Sequence, residues 1–199
     1  MISCTGLQKL DNLLNKVKIK ALEFLNQIFR YLFEQVKSKV KESSPFLTRA
    51  IQFCPFLIAS LISVTSRSDI DELILDENYS DIIVEGIETL VLFSGEKEFQ
   101  DDLIKACRPL IVDVGLNLMR TTSAELLEMV NDPDSFVNLA LDTCDKQKSR
   151  VVKTQGAKLV EALCDNVDGA VSFVTLFCCQ SINLALNTTS QSDGRVSSI

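Results

Sequence analysis

Apolar residues recur along this chain at steps of three and four, and no long stretch alternates apolar with polar. That period marks amphipathic helices rather than half-buried strands. Leu7–Lys41 carries it first. Leu10, Leu13, Leu14, Val17, Leu22, Leu25, Phe29, Leu32, Phe33, Val36 and Val40 predict one long helix, or two in line. Lys16, Lys18, Lys37, Lys39 and Lys41 gather towards other faces. A basic amphipathic helix of this kind suits one face in a core, or contact with a membrane surface or an acidic peptide.

Ser44-Pro45 then reads as a helix start, with Ser44 as cap and Pro45 at the first helical position. The helix Phe46–Val64 is apolar on most sides, so a central place in the packing is expected, with a kink or split at Pro55. Thr65–Asp76 is polar and acidic and reads as a connection with one helical turn. Asn78–Phe93 is the next helix, closed by Ser94-Gly95. Glu96–Met119 is another long one, with Pro109 in its middle. Thr121–Asn131 reads as a helical turn or loop, and Pro133–Asp142 as a short helix capped by Asp132. The helices Lys146–Cys164 and Asp168–Leu186 follow, the second almost wholly apolar.

The fold class is therefore all-α, with about six to seven helices joined by short loops, and antiparallel pairs stacked as an α-solenoid rather than a four-helix bundle. Residues 1–187 form one array, and the polar run 188–199 is expected to be a disordered tail.

Composition narrows the function. Histidine is absent, which removes the commonest general base and most zinc sites. Tryptophan is absent too, and the glycines Gly95, Gly115, Gly156 and Gly169 stand apart, so no phosphate loop forms. No cofactor, metal site or catalytic residue is expected, and the chain does not read as an enzyme. Seven cysteines, an odd number with no C-x-x-C pair, fall inside apolar helical patterns and read as reduced core residues. The N-terminal MISCTGLQKLDNLL lacks the apolar core of a secretory signal. Ile51–Val64 is short for a bilayer and suits a buried helix, so membrane insertion is not expected.

The net charge of −7 is unevenly spread. Residues 1–50 carry nine Lys/Arg against four Asp/Glu, and residues 67–103 carry twelve acidic side chains against two basic ones. The acidic block opposes nucleic acid as a ligand and suits a basic protein partner. Its first members, Asp69, Asp71, Glu72, Asp76, Glu77 and Asp81, are the candidate partner-binding residues.

The stretch Leu127–Val137 contains Asn131-Asp132-Pro133-Asp134-Ser135-Phe136-Val137. It is followed by a polar break with Asp145 and Arg150, then Ala157-Lys158-Leu159-Val160 and Ala162-Leu163-Cys164. Together with Cys107-Arg108-Pro109-Leu110 in the preceding helix, this pattern resembles the importin-β superfamily, most closely its importin-7/8 and exportin-2 branch. Asp132, Pro133, Phe136 and Arg150 carry the likeness, which extends over residues 70–187. The resemblance implies a HEAT-repeat superhelix in nuclear transport, moving between cytoplasm and nucleus. Its implied partners are basic cargo, the Ran GTPase and Phe-Gly nucleoporins. A HEAT-like scaffold or adaptor without a transport role is the alternative.

Overall fold

The computed structural model describes residues 4–35, 45–133 and 148–193, and the regular structure among them is entirely helical. The chain is all-α, as its apolar period requires.

Helix α1 spans Cys4–Gln35. Residues 36–44, with the expected cap Ser44 and the end of the first predicted helix, lie outside the described residues. Helix α2, Pro45–Thr65, runs unbroken through Pro55 rather than splitting there. Pro55 itself is exposed. Nor is α2 central. Cys54, Leu57, Ile58 and Leu61 are buried, but Phe56 on the opposite side is 72% exposed. Length and composition alone would let Leu47–Thr65 cross a membrane, with a mean hydropathy of 1.6. Here its apolar residues are divided between one packed face and one open face.

A single turn, α3 (Ile70–Leu73), leads to α4 (Glu77–Ser94). The Asp76 carboxylate starts α4 by accepting hydrogen bonds from the backbone N–H of Asn78 at 2.9 Å and of Tyr79 at 3.3 Å. This is the central helix. Ile83, Ile87, Leu90 and Phe93 are wholly buried, because α4 is flanked by α1, α2 and α8 (Lys148–Asn166).

The chain turns at Gly95 and passes through a 3-10 turn, Lys97–Phe99. Phe99 lies flat on Phe93, with ring centroids 4.1 Å apart, and Phe29 of α1 meets Phe93 edge-on at 5.1 Å. These three rings tie the first helix to the reversal of the chain. The predicted long helix Glu96–Met119 follows, but its winding changes. It is α-helical over α5 (Gln100–Pro109), π-helical over Leu110–Leu116, and α-helical again over α6 (Asn117–Met119). Pro109 lacks an N–H and its ring crowds the carbonyl one turn back. The helix continues past it as a wider π-helical stretch of seven residues.

Thr121–Asn131, expected as a turn or loop, instead holds a nine-residue helix, α7 (Ser123–Asn131). A reciprocal cap starts it: Thr122 N–H donates to Glu125 Oε2 at 2.7 Å, and Glu125 N–H donates to Thr122 Oγ1 at 3.2 Å. The predicted helix Pro133–Asp142 lies, after Pro133, outside the described residues. Helix α8 leads through Gly169, whose φ of 83° is in the left-handed region, to α9 (Ala170–Asp193). The expected disordered tail therefore gives way, over residues 188–193, to a continuation of α9. Adding residues to a helix already nucleated costs little, even for Thr and Ser.

Helix α4 lies between α1 and α8, and α8 packs also on the π segment and α6. Helix α2 lies against α4, α5 and the π segment, and α9 touches α8 and α5.

Candidate functional site

The acidic residues singled out from the sequence do not converge on one cleft. Asp69 is held by a two-pronged bond from Arg67, Nε to Oδ1 at 2.8 Å and Nη2 to Oδ2 at 2.6 Å. That hydrogen bond holds the Asp69 carboxyl below the usual range. Asp71 accepts from Arg120 Nη2 at 2.8 Å, which ties α3 to the end of α6. Asp76 is the cap of α4. Glu72 and Asp81 are exposed, and Glu77 opens α4. Asp69, Asp71 and Asp76 thus have structural roles, set by arginines and backbone N–H groups that the charge pattern did not single out.

Asp132 and Pro133 lie just after α7, and both are exposed. Phe136 falls outside the described residues, and Arg150 sits in the first turn of α8. The likeness-bearing residues therefore bracket the segment between α7 and α8.

A polar seam that the sequence reading missed crosses the first row. Asn26, buried on α1, donates through Nδ2 to the Glu85 backbone carbonyl at 3.1 Å and to Glu85 Oε2 at 2.6 Å. Its Oδ1 accepts from Thr89 Oγ1, which also donates to the Glu85 carbonyl. One turn along, Glu88 receives Arg30 Nη2 of α1 at 2.8 Å and Gln155 Nε2 of α8 at 3.3 Å. Burial pushes the Glu85 carboxyl above its usual value, and the charges of Glu88 and Glu23 add to this against the Asn26 hydrogen bond. The available signal was an asparagine inside an apolar stripe, which must find partners when buried. The seam fixes the register of three helices.

Farther along α8, Lys153 donates to Glu125 at 2.5 Å and anchors α7. Burial acts to raise the Glu125 carboxyl, but the bonds from Lys153 and the Thr122 N–H outweigh it, and the pKa is lowered.

The cysteines divide. Cys54 and Cys107 are buried, and burial, with Asp102 nearby, pushes the Cys54 thiol up to about 12. Cys178 and Cys179 are exposed on α9 and are not core residues. Nor is the rest of that helix buried as its composition suggested. Ala170, Phe173 and Val174 meet the core, while Leu176, Ile182 and Leu184 are 57%, 59% and 68% exposed. Helix α7 likewise exposes Leu126, Leu127, Met129 and Val130. Among the described residues no group of three His, Cys, Asp or Glu side chains is placed to hold a metal ion.

The fold and these surfaces define an all-helical chain with a well-packed middle and apolar outer helices. Compared with known proteins, it matches no family model, no curated protein and no solved structure.

Proposed function

We propose that this chain is a protein-binding segment of stacked antiparallel helix pairs of the HEAT kind, acting as part of a nuclear transport receptor. The proposed repeats are successive helices, α1 with α2, α4 with the long α5–α6 helix, and α8 with α9. The observation that carries this reading is the neighbour order: α4 lies between α1 and α8, and α2 lies against α5 and the π segment, while α8 also packs on the π segment and α6. Burial agrees with it. The middle pair contributes Ile83, Ile87, Leu90, Phe93, Leu103, Leu110, Ile111 and Val114, all fully buried, whereas α2 and α9 leave apolar residues open. Such an array recognises proteins through surfaces rather than transforming a small molecule in a cleft.

The transport role rests on the resemblance around Asp132–Phe136 and on exposed acid at Glu72, which suits basic cargo. Ran and Phe-Gly nucleoporins are the other partners it implies, with traffic between cytoplasm and nucleus. One observation favours a second reading, a scaffold or adaptor outside transport: Asp69 and Asp71 already hold Arg67 and Arg120. Purification of the endogenous protein through a C-terminal tag, with partners identified by mass spectrometry, separates the two. Ran, nucleoporins or basic nuclear proteins are expected. A fixed set of other proteins, with none of these, would move the assignment to a scaffold.

A further inference from the structure

Helix α9 has two faces of different fate. Ala170, Phe173 and Val174 meet the core, and the Phe177 ring lies 6.1 Å from that of Phe173. Steps of four, three and four residues put Val171, Thr175, Cys178 and Ile182 on the side turned away from them, with Cys179 next to Cys178. All five are exposed, Val171 by 57% and Ile182 by 59%. Thr175 donates its hydroxyl to the Val171 carbonyl at 2.9 Å, so its polar group is satisfied within the helix. No Lys, Arg, Asp or Glu occurs from Ala170 to Ser192. Two adjacent thiols therefore stand in the middle of an open, uncharged, apolar stripe, fixed outward by the aromatic pair behind it.

We propose that Cys178 and Cys179 are a site of double S-acylation by a long-chain acyl-CoA, which holds the outward face of α9 on a lipid bilayer. In each transfer the cysteine sulfur attacks the thioester carbonyl. A sulfur–carbon bond forms as the bond to the coenzyme A sulfur breaks, and the cysteine proton ends on the departing thiolate. Nothing is oxidised or reduced. Three observations select this chemistry. The stretch offers no cation to bind the carboxylates of glutathione, and the electropositive setting of redox-active thiols is missing from it. Chains attached at Cys178 and Cys179 would lie beside Val171 and Ile182, whose apolar surface is open. A helix without basic flanks has no electrostatic hold on a bilayer, and one acyl chain gives only marginal binding, whereas two anchor stably. The doubled cysteine supplies two. Acylation here does not depend on the transport role.

The test incubates the reduced, purified full chain with palmitoyl-CoA and phosphatidylcholine vesicles, and reads intact mass and flotation. Two palmitoyl groups, released by neutral hydroxylamine and mapped to Cys178 and Cys179, are expected on a chain that floats with the vesicles. Cys178→Ser with Cys179→Ser should remove both groups and leave the chain in solution. Its melting temperature should stay within a few degrees of the parent, because both side chains are exposed. Either single serine should leave one group and weaken vesicle binding at least about tenfold. Val171→Lys with Ile182→Lys keeps both thiols, yet should weaken binding of the acylated chain at least about tenfold, which thiol reactivity alone would not produce. Labelling of both thiols by a maleimide without acylation by palmitoyl-CoA would overturn the proposal. So would faster modification by glutathione disulfide than by palmitoyl-CoA, undiminished binding of the lysine variant, or dimerisation through this face that keeps the chain off vesicles.

Discussion

Gly156 of α8 lies directly against the backbone of Gly115 in the π segment, so a Cβ on Gly156 would stand 2.9 Å from the Gly115 carbonyl oxygen. A Cβ on Gly115 would overlap Val160 Cγ2 in turn. The two helices cross where neither has a side chain, and the widened turn after Pro109 is pressed onto α8 at that point.

Alanine at either glycine should therefore destabilise the fold by about 1–3 kcal/mol through overpacking, despite the gain in helix propensity. Gly86→Ala is the control. Its Cβ would meet only the Leu61 and Leu57 side-chain methyls, at 3.1 Å and 3.5 Å, which can shift. Urea unfolding should place Gly86→Ala within about 1 kcal/mol of the parent. Equal losses at all three positions would remove the special status of the crossing.

The carboxyls of Glu85 and Glu125 set opposite pH dependences. The folded pKa of Glu85 is raised, so its contribution is fully present below the unfolded value and is lost as pH rises through the folded one. Glu85→Gln should then raise the melting temperature at pH 7, with the gain vanishing near pH 4. The folded pKa of Glu125 is lowered, so its contribution is present above the unfolded value and is lost as pH falls through the folded one. Glu125→Gln should lower the melting temperature at pH 7 and converge on the parent in acid. Parallel pH profiles for the two variants would show that neither environment is as described.

Thiol accessibility follows the division of the cysteines. Cys178 and Cys179 should react with a chromogenic disulfide reagent in the native state, and Cys54 only on unfolding, since its thiol is buried and is pushed up to about 12. The variant with Cys178→Ser and Cys179→Ser should lose two fast equivalents. Unchanged fast kinetics would place α9 in a covered position.

Much of the architecture was legible because period and capping are local. The apolar steps of α2, α4, α8 and α9 located each helix, and Gly95 follows the end of α4 as expected, whereas the Asp76 cap was read only as one of a run of acids. Pairwise geometry was not legible. Nothing in the order of residues shows that Gly115 meets Gly156, or that Asn26 reaches Glu85. Composition also misplaced α2 and α9, because an apolar helix reads the same whether its outer face is covered or open. The acidic run misled in a further way: charge density locates carboxylates, but Arg67, Arg120 and the N–H groups of α4 decide which of them are already engaged.

Titration of the purified chain with three probes tests the transport assignment most directly: Ran bound to a GTP analogue, a Phe-Gly repeat peptide and a lysine-rich peptide. A transport segment should bind at least one at about micromolar affinity, and Glu72→Lys should weaken the lysine-rich peptide without changing the melting temperature. Failure of all three to bind a chain with an intact melting transition would contradict the transport role.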